Sequence, residues 1–249
     1  LLILFGCRSA LTKELQKPME YQSDRDYTGW VMSEKYDGIR AIWDAIQLKT
    51  RQGKTIFAPH WFLKKLPPFA IDGELWTKRQ DLENIQSIVM DHTPSDRWSE
   101  IKYFIFEIPN AKGNLDSRYK MLETWLKNNN NTPLHLVQQI KVKSKNHLNT
   151  FYQQLITDGA EGIIVKNPNL DYFGGRTSSS VKRKKVADME GLVISINKAK
   201  GKFAGMMGSL GIQLENGKRF KLGTGFSHNQ RKNPPEIGSQ VKFKYYGFT

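Results

Sequence analysis

Short alternations of apolar and polar residues run through most of the chain and predict strands with a few helices between them. Strand-like apolar runs occur at residues 30–48, where a polar turn interrupts them, and at 55–58, 69–75, 103–108 and 162–166. Helical spacing of apolar residues occurs at 81–90, 117–127 and 148–157. This mixture favours an α+β domain with antiparallel sheets.

The pattern changes after the basic run from Lys182 to Lys185. Strand-like pieces at 191–196, 210–214, 219–222 and 240–246 are separated by Gly-containing turns, and helical periodicity is absent. A unit of about 60 residues with these features predicts a small all-β barrel of the five-stranded oligonucleotide-binding (OB) type. We therefore predict two domains, at residues 11–187 and 188–249.

An excess of positive charge indicates a polyanionic partner. The 249 residues hold 38 Lys plus Arg against 24 Asp plus Glu, a net charge of +14. Nucleic acid is favoured because its binding releases condensed counterions. The apolar runs in the body of the chain are far shorter than the roughly 20 residues that a membrane span needs. Cys7 is the single cysteine, which excludes an internal disulfide framework.

The first ten residues suggest a targeting segment. Residues 1–10 begin without Met, are mostly apolar and end in Cys7-Arg8-Ser9-Ala10. We interpret them as the remnant of an export leader, which predicts a periplasmic or exported protein. A buried first strand is the competing interpretation, and a cytoplasmic location is then the alternative.

The sharpest chemical feature is the turn from Glu34 to Arg40, with the sequence Glu-Lys-Tyr-Asp-Gly-Ile-Arg. A lysine acts as a nucleophile only where its proton is easily lost, through desolvation or neighbouring cations. Lys35 is the candidate, Gly38 would allow close backbone approach, and Asp37 and Arg40 offer polar groups to a nucleotide. The short string alone is equally typical of a plain surface turn.

Further strings follow in a fixed order. They are Arg51 to Lys54, Asp72 to Glu74, Tyr103 to Glu107, Glu161 to Lys166 and Val181 to Lys184. Together with the Lys35 turn, this series resembles the motifs of the covalent-lysine nucleotidyltransferase superfamily, which includes ATP-dependent DNA ligases, RNA ligases and mRNA capping enzymes. The resemblance implies a nucleotidyltransferase (adenylation) domain followed by an OB-fold domain, with AMP carried on Lys35.

The same resemblance assigns roles to the remaining candidates. It implies that ATP or AMP contacts Glu34, Arg40, Glu74, Phe106, Glu161, Lys182 and Lys184. Glu74 and Glu161 are oxygen ligands suited to Mg²⁺, with Mn²⁺ as a substitute. Phe106 would stack on adenine, although Phe104 is the alternative. Either glutamate alone is also typical of a solvated surface acid. The basic run that begins at Lys182 is likewise typical of a generic basic patch.

Strings in the second domain narrow the family. Residues 200–209, 223–227 and 231–238 are similar to the barrel of the minimal E-type bacterial DNA ligases, so that the resemblance covers nearly the whole chain. It implies nicked duplex DNA as the partner, contacted through phosphates, and monomeric action without an obligate protein partner. The candidate DNA-binding residues are Arg51, Arg176, Lys200, Lys202, Arg231 and Lys232. Arg176 is equally suited to capping a loop.

Two features of the sequence bear on which nucleotide donates the AMP. Only 34 residues precede Lys35, which we interpret as leaving no room for an NAD⁺-binding domain, so that ATP is expected. No basic motif that would mark a GTP-using capping enzyme is found.

Two features depart from the family pattern. Glu107 stands where the family commonly has Asp. The chain also stops at Thr249, where relatives continue, which predicts a truncated barrel. An RNA ligase and a non-catalytic DNA-binding protein remain the alternatives.

Overall fold

The computed structural model of the protein describes residues 14–185 and 187–245. These residues form two compact units, which divide after Lys185. The leader-like residues 1–10 lie outside the described residues, so their interpretation stays a prediction. Among the described residues, no helix is long and apolar enough to cross a membrane.

The strands of the first unit are short and belong to two sheets. They are β1 Gln16–Glu20, β2 Val31–Lys35, β3 Ile39–Trp43, β4 Leu48–Thr50, β5 Ile71–Trp76, β6 Lys102–Glu107, β7 Leu134–Leu136, β8 Ile140–Lys141, β9 Gly162–Lys166 and β10 Gly175–Lys184. The first sheet has the order β1-β10-β9-β2-β8 and the second β4-β3-β5-β6-β7. The expected α+β fold is therefore confirmed.

Most neighbouring strands are antiparallel, as expected, but two pairs at the sheet edges are parallel. β1 runs parallel to β10 and β6 runs parallel to β7. Both pairs join strands that are separated by long stretches of chain, as parallel pairing requires. β3 lies within the predicted stretch 30–48, and the predicted bounds of β9, residues 162–166, agree with the structure.

Each sheet has its own hydrophobic core. The first sheet buries Met32, Ile163 and Val165, and the second buries Tyr103 and Ile105. Alternate residues of a strand point to opposite faces of a sheet, so every second side chain enters the core. The alternation of Tyr103 with Ile105 and of Ile163 with Val165 therefore reflects one packed face in β6 and β9, whereas β2 buries consecutive residues.

The three predicted helices are present with slightly different ends, and a four-residue helix at His60–Leu63 is additional. The helices of the first unit are α1 His60–Leu63, α2 Leu82–Val89, α3 Leu115–Lys127 and α4 Lys145–Thr157. Asn114 caps α3 by accepting a hydrogen bond from the Ser117 backbone N–H at 3.0 Å. Ser144 caps α4 in the same way through His147 at 3.1 Å. The last two helices therefore start before the residues that apolar spacing predicts, because their ends are fixed by polar caps.

The strand expected at residues 55–58 is wrong. Thr55 forms only an isolated bridge with Lys49, and the Ala58 N–H bonds to the Ile56 carbonyl within a turn. Ile56 still buries its side chain, which accounts for the strand-like pattern. Pro59 follows at once and lacks the N–H that a continuing ladder needs.

The second unit is a small, mainly β domain. Its strands are β11 Ala187–Lys198, β12 Met207–Gln213, β13 Arg219–Leu222 and β14 Gln240–Tyr245. Within the described residues they form one antiparallel sheet in the order β13-β12-β11-β14, over a core that includes Val193, Leu210, Ile212 and Phe243. One short helix, α5 His228–Lys232, was not expected. Tyr246, the predicted end of the last strand, lies outside the described residues.

Candidate active site

Lys35 lies at the end of β2, where three strands of the first sheet meet. Gly162, the first residue of β9, pairs with Lys35 on one side and with Lys184 of β10 on the other. Glu161 directly precedes Gly162, so its carboxylate lies between the two lysines. One oxygen accepts a hydrogen bond from the Lys35 ammonium and the other lies 2.8 Å from Nζ of Lys184. Strand register alone therefore brings three predicted residues together.

A cavity of about 270 Å³ opens beside these residues. Its walls contain most of the residues that the sequence predicts for the first domain. They are Glu34, Lys35, Arg40, Arg51, Glu74, Phe106, Arg176, Lys182 and Lys184. Glu161 joins them through its contacts with two of the lysines. The structure places all of the first-unit candidates at one site, and their individual roles stay predictions.

Glu74 is a strongly perturbed carboxyl group of the site. Its side chain keeps some surface open to the cavity, but it is otherwise surrounded by protein. Burial raises the pKa of Glu74 to about 8, although Lys35 and Arg40 oppose the shift. Burial and the nearby Glu161 likewise raise the pKa of Asp37. At neutral pH Glu74 therefore holds its proton unless a cation replaces it.

Arg40 is fixed by a fully buried partner. Its Nε and Nη2 donate to the two carboxylate oxygens of Asp72 at 2.9 and 2.6 Å, and Nη2 also donates to the Gln16 carbonyl at 3.0 Å. Two-pronged pairing of this kind holds a guanidinium in one orientation. Asp72 therefore orients Arg40 at the cavity wall, a role that the sequence did not reveal.

The basic run of β10 divides between two faces of the sheet. Lys182 and Lys184 line the cavity, and Lys182 also pairs with Glu20 at 3.0 Å. Arg183, between them, points away because strand residues alternate. Its guanidinium donates to Oδ1 of Asn149 at 2.7 Å and lies 3.9 Å from the centre of the Tyr152 ring. The run is therefore two cavity lysines and one structural arginine.

The structure distinguishes the two aromatic candidates of β6. Phe106 lines the cavity, and the charged groups of Arg40 and Lys166 each lie 5.4 Å from its ring centre. Phe104 instead stacks on Tyr36 with ring centres 4.3 Å apart and belongs to an aromatic cluster beside the Lys35 turn. Phe106 is therefore the β6 phenylalanine that borders the cavity, and its stacking on adenine stays a prediction.

A buried ionic cluster underlies Phe106, and the sequence did not predict it. Glu107 accepts hydrogen bonds from Nε and Nη2 of Arg118 at 2.7 and 3.1 Å, and Lys166 Nζ lies 3.5 Å from it. Lys166 also donates to the Phe106 carbonyl at 2.7 Å. Burial alone would raise the pKa of Glu107, but Lys166 and Arg118 outweigh burial and hold this pKa below its ordinary value.

The predicted DNA-binding residues of the second unit differ in their surroundings. Lys200, Lys202 and Lys232 are exposed. Arg231 instead uses its guanidinium within the domain, donating to the carbonyls of Met207, Gly208 and Gly223 at 2.9–3.0 Å. The structure thus gives Arg231 a folding role, and DNA contact by these four residues stays a prediction.

The carboxyl groups of the cavity fit a metal ion that arrives with a nucleotide. No group of three or more His, Cys, Asp or Glu suited to a metal occurs among the described residues. A magnesium ion usually needs only one or two protein carboxylates, with phosphates and water completing its shell. Glu74 and Glu161 supply two carboxyl groups at the Lys35 end of the cavity, so the donor set suits a nucleotide-bound divalent cation.

The fold and the site define a nucleotidyltransferase: a two-sheet domain with a lysine at its cavity, followed by a small β domain. Two family models match the chain. Residues 10–185 match the ATP-dependent DNA ligase domain, and residues 198–249 match the DNA ligase OB-like domain. The chain belongs to the ATP-dependent DNA ligase family.

Individual relatives agree with this assignment. A DNA ligase of Haemophilus influenzae is 39% identical over 249 residues, which cover 100% of this chain and 92% of the relative. A solved structure from a study of Lig E DNA ligases, described there as binding DNA with a minimal scaffold, has a TM-score of 0.83 and 39% identity. It matches 96% of this chain and 94% of its own. The predicted likeness to the minimal E-type ligases is confirmed.

A more distant structure shows the same fold. The Chlorella virus DNA ligase-adenylate has a TM-score of 0.60 at 20% identity, over 95% of this chain and 92% of its own. This likeness extends the shared fold over nearly the whole chain.

Proposed function

We propose that this ATP-dependent DNA ligase seals nicks with a 5′-phosphate and a 3′-hydroxyl in duplex DNA, using a covalent lysyl-AMP intermediate at Lys35. The observation that carries the proposal is the position of Lys35 at the cavity wall, in contact with Glu161 and next to Lys184. A nucleophile, a proton acceptor and a phosphate-binding cation are thereby within reach of one bound triphosphate.

In the first step, Nζ of neutral Lys35 attacks the α-phosphorus of ATP. The N–P bond forms as the bond to the bridging oxygen breaks, and pyrophosphate leaves. The ammonium must first lose a proton, and Glu161 is hydrogen-bonded to it, so the proton can leave through that carboxylate. Lys182 and Lys184, on the cavity face of β10, neutralise the charge that develops on pyrophosphate.

In the second and third steps the AMP moves to the DNA 5′-phosphate, and the adjacent 3′-hydroxyl then displaces AMP as the phosphodiester bond forms. Arg51 and Arg176 have exposed side chains that border the cavity. Their forks suit the phosphate of an incoming DNA end. Phe106 lies where it can hold the adenine ring by stacking, and Arg40 is held rigidly by Asp72.

Mg²⁺, with Mn²⁺ as a substitute, is the proposed metal. Glu74 and Glu161 would hold it together with ATP phosphates, and when bound it would withdraw charge from the phosphate oxygens. Monomeric action and a periplasmic or exported location remain predictions that come from the sequence.

The test uses purified protein, α-labelled ATP, Mg²⁺ and a nicked duplex, with label on the protein and strand length followed on denaturing gels. We expect labelled protein and joined strands. Lys35→Ala should take no label, while Lys127→Ala, an exposed lysine at the end of α3, should label like the wild type. Persistent labelling of Lys35→Ala would contradict the assignment.

The same assay separates the alternatives. Label without joining of DNA would favour an RNA ligase or a capping enzyme, and competition by unlabelled GTP would identify the latter. Binding of DNA without any label would leave only a non-catalytic DNA-binding protein.

A further inference from the structure

Glu34, the residue before Lys35, is held by an arginine that lies 45 positions further along the chain. Nε and Nη2 of Arg79 donate to the two carboxylate oxygens of Glu34, each at 2.8 Å. The remaining Nη1 donates to the Asp158 carbonyl at 3.0 Å. Both side chains are partly buried, with 31% of Arg79 and 16% of Glu34 exposed. All three guanidinium nitrogens are therefore used.

This contact occurs where β2 has a neighbour on one edge only. β2 pairs with β9 along Val31 to Lys35, but with β8 only at Val31 and Met32. Among the described strands, none pairs with the outer edge of residues 33–35. The end of β2 that carries Lys35 therefore lacks the second ladder that would hold a central strand.

The arginine reaches this strand end from the other sheet. Arg79 follows β5 of the second sheet, whereas Glu34 belongs to the first and Asp158 is the C-cap residue of α4. The end of the Gln80 side chain, next to Arg79, lies close to Gly159 just after α4, since a Cβ placed on Gly159 would lie 2.6 Å from its Nε2. Arg79 thus connects β2, which carries Lys35, with the second sheet and the end of α4.

Side chains 34 and 35 point to opposite faces of the strand because strand residues alternate. Arg79 consequently holds β2 through the Glu34 side chain, while Nζ of Lys35 contacts Glu161 at the cavity. Bidentate arginine–carboxylate pairs fix geometry as well as charge. An error of about 1 Å in the position of a reacting group can cost roughly a hundredfold in rate.

We propose that Arg79 is a positioning residue, which fixes the end of β2 through Glu34 and thereby sets the rate at which Lys35 attacks ATP. The inference rests on the proposed lysyl-AMP mechanism. It also gives Glu34 a different task from the nucleotide contact that the sequence suggested, because both of its carboxylate oxygens are engaged by Arg79.

The test measures single-turnover self-labelling with α-labelled ATP over a range of ATP concentrations. For Arg79→Gln we expect the rate constant at saturating ATP to fall about tenfold or more, with the half-saturating ATP concentration changed less than about threefold, because positioning affects the attack and not the binding. Glu34→Gln, which keeps the shape of the side chain, should give the same pattern. Arg79→Lys should recover little of the lost rate constant, since lysine keeps the positive charge but cannot donate two parallel hydrogen bonds as the guanidinium does.

The double variant and a matched control make the test specific. Arg79→Gln combined with Glu34→Gln should be no slower than either single variant, as expected when two residues act as one unit. Arg97→Gln removes an arginine whose partner Glu100 is also on the surface, and should label at the wild-type rate. Tryptophan fluorescence confirms folding, because all six tryptophans precede residue 126.

Three results would overturn the inference while leaving the proposed function intact. They are an unchanged rate constant in Arg79→Gln, a defect confined to ATP affinity, or additive effects of the two substitutions in a wild type that labels normally. A wild-type protein that takes no label would overturn the proposed function itself, and this inference with it.

Discussion

Replacing Arg118 by methionine should strongly destabilise the first unit. The Arg118 side chain is 4% exposed and pairs with a Glu107 side chain that is 1% exposed. Besides its two bonds to Glu107, it donates to the carbonyls of Gly113 and Leu170 at 2.6 and 3.1 Å. Arg118→Met keeps most of the volume but leaves the carboxylate with Lys166 and one backbone N–H.

Removing one partner of a buried ion pair costs about 3–5 kcal/mol, because the other charge stays buried without compensation. In a unit of this size, about 1 kcal/mol lowers the melting midpoint by roughly 2–4 °C, so the expected decrease is about 6–20 °C. Urea unfolding followed by tryptophan fluorescence measures the effect in the first unit alone, since no tryptophan occurs after Trp125. The matched control Arg97→Met removes an exposed pair and should cost less than about 1 kcal/mol.

The pH dependence provides a second check. The pKa of Glu107 lies below its ordinary value of 4.5, so the pair stabilises the fold fully above that pH and loses its effect as the pH falls through the lowered pKa. The difference in the free energy of unfolding between the wild type and Arg118→Met should therefore disappear at acidic pH. If Arg118→Met loses no more stability at neutral pH than Arg97→Met does, the assignment of a stabilising buried cluster is refuted.

Three further outcomes follow from the geometry. Gly38→Ala should cost about 1–3 kcal/mol in the same fluorescence assay, because its Cβ would lie 2.2 Å from the Leu75 carbonyl oxygen; an unchanged urea midpoint would contradict this. Glu74 has a pKa of about 8, so its carboxyl group loses its proton as the pH rises towards that value. The Mg²⁺ concentration that half-saturates self-labelling should therefore fall over this pH range. Glu74→Gln should show little dependence of this Mg²⁺ concentration on pH. Arg231→Met should expose unpaired carbonyls, lower the stability of the second unit by about 2–3 kcal/mol and speed amide hydrogen exchange in β12; exchange at the wild-type rate would argue against its folding role.

The residues around Lys35 could be predicted from the sequence because their motifs, taken in order, resemble those of the covalent-lysine nucleotidyltransferase superfamily. Lys35, Glu161 and Lys184 lie far apart in the chain, yet all three adjoin the same β-ladder position at Gly162. Sequence strings of this kind retain their local geometry wherever the fold places them. Their order along the chain was therefore enough to identify the set, although the distances within it required the structure.

Two arginines with partners near the site, Arg79 and Arg118, could not be identified in the same way. Arg79 and Arg118 lie in stretches without a motif, and their partners are chosen by tertiary packing. One signal was available for Arg118, which shares the buried face of α3 with Leu115 and Leu122. A charged residue within an apolar helical stripe predicts a buried partner, because an unpaired charge there would be too costly.

Helix α5 was missed for a different reason. Five residues are too few for apolar periodicity, which was the signal used, and none of them is buried. A capping box was nevertheless present in the sequence, with Ser227 and Gln230 exchanging side-chain and backbone hydrogen bonds at 2.8 and 3.2 Å. Short helices of this kind are specified by their polar ends and not by a hydrophobic face.

The glycines of the two central motifs serve backbone packing. Gly38 was predicted to allow close backbone approach, and its missing side chain makes room for the β5 backbone at Leu75. Gly162 does the same for the Arg183 carbonyl of β10, which a Cβ would approach to 2.1 Å, and its φ of +154° is rarely adopted by other residues. These two close contacts bring β3 against β5 and β9 against β10. The short distances from Lys35 to Glu161 and onward to Lys184 depend on the second contact, so a larger residue at Gly162 would separate the charged groups without altering any of them.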